Sequence, residues 1–229
     1  MKPMLFNTEM TRRVLDNRKT VTRRPVKPQE TDWEFSGMEN DPHMTRIDRN
    51  GEEYPSQESG IWAAFEWGAA VRLVKAPYQL GDILYVQEKW AKLYYVDIDG
   101  YTHYDQSEYY YAADGTPDIT LYDEDGSQLD DQSIRWRSSR CMPREAARIF
   151  LRVTDVRVEK LKEIENGWKF DKEGIVLHHG MISEVWRDFA KLWDSTIKKK
   201  DRALYSWNAN PWVWVIEFER ISREEAVNG

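Results

Sequence analysis

Apolar positions along the chain fall into short periodic runs separated by long polar stretches. Met4-Leu5-Phe6 is the first, and Asn7 or Thr8 behind it is suited to cap a helix that carries Met10 and Val14 on one face. Asn17 suits the end of that helix. Lys19 to Arg24 contains two threonines and a valine and reads as extended, and Pro25 removes a helical option. Leu80-Gly81-Asp82 is a turn signal, followed by a buried strand from Ile83 to Val86. Ala146 to Val158 predicts a long strand with Ile149, Leu151 and Val153 on one face and Arg148, Phe150 and Arg152 on the other. Ile182, Trp186, Phe189 and Trp193 recur at helical spacing. Trp212, Trp214, Ile216 and Phe218 alternate with Val213, Val215, Glu217 and Glu219, which predicts a strand with one face buried.

Between these runs lie two long polar segments. Gln29 to Pro77 mixes turn formers and acids with scattered Trp33, Trp62 and Trp67, and reads as an elaborated loop with one hairpin. The acidic, tyrosine-rich stretch after Val96 reads as a second excursion with strand pieces such as Tyr109-Tyr110-Tyr111. Dispersed strands with few helices favour an α+β fold around a small barrel over a regular βαβ array.

Composition narrows the class. With 229 residues, 41% of them hydrophobic and 11 of them tryptophan, the chain can bury a core, and one domain over 1–229 is the expectation. Its lone cysteine, Cys141, excludes a disulfide scaffold. No secretory leader and no membrane-length apolar run is legible, so the expectation is a cytoplasmic protein without a membrane partner. The net charge of −7 argues against nonspecific coating of nucleic acid. That average hides an asymmetry: Met1–Gln29 is rich in Lys and Arg, whereas Asp97–Ser133 holds acids and no Lys or Arg. One end could meet a polyanion; both could equally be solvated surface. His178-His179 lacks cysteine partners and adjacent side chains point apart, so no metal and no cofactor is expected. Phosphate-binding loops, dinucleotide fingerprints and nucleophile elbows are missing.

Two segments carry candidate chemistry. Asn17-Arg18-Lys19-Thr20-Val21-Thr22-Arg23-Arg24 places a lysine, hydroxyls and arginines just after a helix. A lysine that loses its proton in a dry, cationic setting can activate a threonine hydroxyl, and Arg18, Arg23 and Arg24 could lower its pKa or hold a phosphate. A solvated basic turn fits the same composition. In a straight strand residues three apart face opposite ways, so Lys19 and Thr22 meet only across a bend or bulge. In Gly81–Trp90, Glu88 leaves the end of a strand and could fix the lysine or relay protons, while Trp90 could stack on a base; a surface glutamate and a core tryptophan serve as well. Trp136–Arg144 adds three arginines and two serines suited to phosphate or sugar, or to balancing nearby acids.

These motifs, NRKTVTRR, GDILYVQEKW and a late NPWVWVIEFERI, resemble the ASCH family of the PUA-like superfamily, including long ASCH-like proteins of tailed phages and prophages. The first is similar to the family signature G-x-K-x-x-[TE]-x-R, with Asn17 in the glycine position, a mild departure because asparagine tolerates the left-handed conformation. The resemblance implies a PUA-like small β-barrel with flanking helices and insertions at about 30–77 and 97–133. It also implies a cleft for RNA or a modified nucleoside. Small bacterial members remove the acetyl group of N4-acetylcytidine with a lysine, a threonine and a glutamate. By motif these catalytic roles fall on Lys19, Thr22 and Glu88, with Asn17, Arg23, Arg24, Trp90 and Arg144 as substrate-binding candidates. An amidohydrolase acting on an N4-acylated cytosine is the first expectation. A non-catalytic RNA- or DNA-binding module reading a modified base is the second, and a ribonuclease the third. A phage origin would place the protein in the host cytoplasm.

Overall fold

The computed structural model describes residues 1–29, 34–36, 45–47, 53–55, 61–66, 69–96, 101–115, 121–122, 127–129, 134–165, 172–174 and 182–228. In chain order the elements are β1 (Lys2–Leu5), α1 (Thr8–Leu15), β2 (Val21–Pro25), β3 (Glu34–Ser36), β4 (Thr45–Ile47), β5 (Glu53–Pro55), β6 (Ile61–Glu66), β7 (Ala69–Lys75) and β8 (Ile83–Gln87). They continue with β9 (Trp90–Val96), β10 (Thr102–Tyr111), β11 (Leu121–Tyr122), β12 (Gln128–Leu129), β13 (Phe150–Lys160), α2 (Ile182–Thr196), α3 (Arg202–Tyr205), β14 (Trp212–Ile221) and α4 (Arg223–Asn228). The class is mixed α+β. No helix among the described residues is long and apolar enough to cross a membrane.

The chain divides into two compact units, both discontinuous in sequence. Unit 1 takes Met1–Asn17, Ile83–Arg152 and Arg220–Gly229; unit 2 takes Arg18–Asp82 and Val153–Glu219. In unit 1, β1 runs parallel to β8, with Met4 opposite Val86, and the start of β13 pairs antiparallel with β8, with Leu151 opposite Leu84. Those four side chains are fully buried. A second sheet in the order β10-β9-β11-β12 completes the unit's strands. Trp90, Met142, Ala146, Phe150 and Ile221 form its aromatic core. Asn7 caps α1 by accepting from the Met10 amide at 2.8 Å. The helix ends where Asn17 takes φ +55°, a left-handed conformation that asparagine tolerates.

Unit 2 carries the order β13-β14-β2, a three-stranded sheet β3-β6-β7 and the pair β4-β5. Its core gathers Val21, Val213 and Val215 with Leu161, Ile164, Phe189 and Trp193. The last two are the apolar stripe of α2, as the helical spacing predicts.

Several expectations are corrected. Thr11, not Met10, joins Val14 as the buried stripe of α1, because its hydroxyl satisfies itself on the Asn7 carbonyl at 3.0 Å. β13 begins at Phe150, since 144–146 forms a 3-10 turn, and Phe150 is buried along with the opposite face. β14 is buried on both faces from Val213 to Ile216, because Val213 and Val215 face the α2 side while Trp214 and Ile216 are covered too. The described residues between 30 and 77 include five strands rather than one hairpin; Trp33, Trp67 and His178-His179 lie outside the described residues. Ile83–Gln87 alternates between half-buried and buried instead of being buried throughout. Leu161→Ala leaves a hole beneath α2 and is expected to cost about 2–5 kcal/mol, read as a lower urea midpoint.

Candidate functional site

β2 pairs with β14 in regular register, from Val21 opposite Glu217 to Pro25 opposite Val213. Opposed residues share a face, so Val21, Arg23, Val215 and Glu217 lie on one side, and Thr22, Arg24, Trp214 and Ile216 on the other. Lys19 sits just before the strand, in an isolated bridge with Glu173, and the Thr20 and Val21 amides both donate to the Lys172 carbonyl at 2.8 and 3.0 Å. The Lys19 ammonium donates to the Val21 carbonyl at 2.7 Å and to the Glu173 carboxylate, which also takes Arg23 Nη1 at 2.7 Å. All three side chains are almost wholly buried.

Burial alone would raise the Glu173 pKa; the charges and hydrogen bonds of Lys19 and Arg23 outweigh it and hold the carboxyl below its ordinary value. Glu173 is therefore a carboxylate, and it favours the protonated ammonium. The cluster continues over the same unit. Arg23 lies 3.9 Å from Glu159, Arg157 bonds Glu159 at 2.6 Å and Glu217 at 2.7 Å, and Lys172 bonds Glu217 at 3.1 Å. Each buried charge thus has an opposite one within reach, the condition for keeping ions out of water.

Thr22 is buried on the far face of β2 from Arg23. The ladder carries no bulge between Val21 and Pro25, so nothing in the strand turns its hydroxyl toward the described hydrogen bonds of Lys19. Arg24 shares the Thr22 face, where burial lowers its pKa and Tyr78 acts against that shift; burial raises Tyr78 in turn. Unit 2 therefore holds Lys19, Thr22, Arg23 and Arg24 and adds Glu173, which the sequence reading missed.

Unit 1 holds Asn17, Glu88, Trp90 and Arg144. Glu88, 1% exposed, is gripped by Arg148 through both oxygens at 2.9 and 3.1 Å, and Arg148 also takes Asp114 at 2.6 and 2.9 Å. The same guanidinium lies 3.9 Å from the Tyr111 ring centre. Burial pushes the Glu88 carboxyl up further than Arg148 pulls it down. Trp90 is not an open platform for a base. It is a core side chain, 4% exposed, 5.7 Å from Tyr109, and its indole N–H finds no acceptor among the described residues. Arg144 is exposed and donates to Met1 Sδ at 3.2 Å. The early basic residues do not present themselves as one patch: Lys19 and Arg23 are buried, Arg12 donates to the Ala113 carbonyl at 2.7 Å, and Arg13 pairs with Glu9.

One run of exposed cations in unit 1 lies instead in 134–144, anchored at both ends by buried Ile134 and Met142. Between them Trp90 and Arg137 exchange backbone hydrogen bonds at 3.3 and 2.7 Å, and the Arg137 guanidinium covers the Trp90 ring at 5.3 Å. Ser138 caps the 3-10 turn at 139–141. Arg135, Arg137, Arg140 and Arg144 all face solvent. Among the described residues no group of three or more His, Cys, Asp or Glu side chains is placed to hold a metal ion. No protein-family model matches the chain, and no curated protein or solved structure is significantly similar to it.

Glu173→Gln strands two buried cations and is expected to destabilise the protein by about 3–5 kcal/mol. Because its folded pKa is lowered, its contribution is full above the ordinary carboxylate value of 4.5 and is lost as pH falls through the folded pKa. Urea midpoints measured from pH 7 downward should therefore converge between wild type and variant below about 4.5. Parallel curves at all pH values would show that the carboxylate is not held by its partners.

Proposed function

We propose that the protein is a nucleic-acid-binding module, with the PUA-like barrel its sequence motifs resemble, rather than a resting hydrolase. The observation that carries this reading is the arginine edge of 134–144. Its backbone is fixed by buried anchors and by the Trp90 bridge, its guanidiniums face water, and no acid falls between Ile134 and Arg144 in sequence. Arginines presented from a pre-ordered backbone lose little freedom on meeting phosphates, and such contacts position a strand without reading its sequence. RNA and DNA are both admitted by this chemistry.

Hydrolysis of an N4-acylated cytosine is the second reading. It is favoured by a desolvated lysine beside a carboxylate in the unit that also carries Thr22. For Thr22 to attack an amide carbonyl, Lys19 has to take up the hydroxyl proton, and so must first be neutral. Ionised Glu173 works against that, which is why binding ranks first.

Fluorescence anisotropy with single-stranded RNA and DNA 20-mers tests the binding reading. Wild type should bind at low salt, with affinity falling as salt rises. R137Q/R140Q/R144Q should flatten the log–log salt dependence by about 2, at roughly 0.7 per phosphate contact on a single strand. Wild type that binds neither oligonucleotide at low salt sinks this reading. Incubation with N4-acetylcytidine, followed by chromatography for cytidine, tests the second. No cytidine, or cytidine formed equally by Lys19→Ala, removes it.

A further inference from the structure

One end of unit 2 carries a different arrangement of charge. The turn from Tyr205 to Pro211 folds back on the start of β14, with Asn210 at φ +47°. It is fixed from several sides. The Trp193 indole donates to the Tyr205 carbonyl at 2.8 Å, the Trp207 amide donates to Asp194 at 2.8 Å, and the Lys162 amide donates to Asn210 Oδ1 at 2.8 Å. Gln29 accepts from the Trp212 amide at 2.8 Å and donates to its carbonyl at 3.0 Å, tying the end of β2 to the same place. Tyr205, Trp207 and Trp212 are so gathered on a rigid base, the two tryptophans half-exposed.

Each ring holds a lysine. Lys27 lies 4.6 Å from the Tyr205 centre, Lys160 4.4 Å from Trp212 and Lys162 5.9 Å from Trp207. A ring face attracts an ammonium and limits where a flexible side chain carries it. Beside them run Lys198, Lys199 and Lys200, all exposed, followed by exposed Arg202. Among the described acids of these elements, Asp201 lies 4.0 Å from Lys27, Asp194 is engaged by the turn, Glu159 is buried against Arg157, Asp188 lies 3.7 Å from Lys191, and Glu163 is half-buried. In a chain of net charge −7, cations therefore outnumber carboxylates among the described residues of this end.

We propose that this lysine–aromatic end of unit 2 is a second docking surface, for the phosphate backbone of single-stranded nucleic acid. Lysine is a strongly hydrated point charge that suits phosphate without demanding a fixed geometry. An ammonium that moves from the Trp212 face to a phosphate uncovers a partly exposed indole on which an unpaired base stacks, which an acidic peptide has no use for. The inference rests on the binding reading above but on different residues, in the other unit.

The test uses full-length protein and a fluorescein-labelled U20 RNA, titrated across a potassium chloride series. K198Q/K199Q/K200Q removes charges that touch no core side chain. Its salt slope is expected to be shallower than wild type by about 2, at roughly 0.7 per phosphate, with an unchanged melting temperature. Trp212→Leu should weaken binding tenfold or more while leaving the slope intact, and circular dichroism reports whether that variant folds. If it does not, K160Q/K162Q replaces it, with a slope shallower by about 1.4. A triple variant with wild-type affinity and slope overturns the proposal, even where R137Q/R140Q/R144Q abolishes binding and the arginine edge stands. Loss in the lysine variant alone sustains it and retires the arginine edge. Poly-L-glutamate displacing the RNA at equal charge also overturns it, because the surface then recognises charge without bases. Wild type that binds no RNA removes both readings together.

Discussion

A carboxylate sealed from water is tolerable only beside cations, and Glu173 governs much of unit 2 through that constraint. It lies 154 positions from Lys19 in sequence, and the ammonium and the Arg23 guanidinium close on it from two sides. Removing any one member leaves the others charged in a medium that solvates them poorly, so the three persist or fail together. The same constraint spreads along β13 and β14, where Arg157 sits among Glu159, Glu217 and Asp155. Apolar packing of Val21, Val213 and Val215 gives the sheet its cohesion. The ions fix which backbone lies against the start of β2.

Unit 1 solves a similar problem differently. Glu88 is as deeply buried, but its one guanidinium is half-exposed and shared with exposed Asp114. One cation divided between two acids compensates less than two cations on one acid. The two glutamates accordingly move in opposite directions, Glu88 upward and Glu173 downward. Motif likeness alone treats Glu88 as the carboxylate that serves Lys19; the lysine's carboxylate in unit 2 is Glu173.

Local rules were readable wherever a residue answers to its near neighbours. Asn17 at a left-handed helix end, the Gly81 turn and the existence of strand β14 follow from backbone sterics and short-range pattern. The missing bulge in β2 was legible as a condition, since straight strands separate Lys19 from Thr22 by face. What escaped depends on distant chain. Nothing near Glu173 marks it as the partner of a lysine so far away, because a lone acid in a polar run looks like any solvated one. Trp90 shows the converse: its spacing from Glu88 admits either an open ring or a packed one, and Met142 and Phe150, from elsewhere in the sequence, decide for packing. The strands between 34 and 75 were hidden by turn formers scattered among them.

Neither unit is a continuous stretch of polypeptide. Unit 1 opens the chain, is left at Asn17, resumes at Ile83, is left again at Arg152 and resumes at Arg220. During synthesis its aromatic core cannot close until Ile221 and Ala226 emerge from the ribosome, because both belong to that cluster. The nascent protein therefore has no early half that can mature alone, and ordering must come late and nearly at once. A simple cut at any single peptide bond would separate neither unit intact.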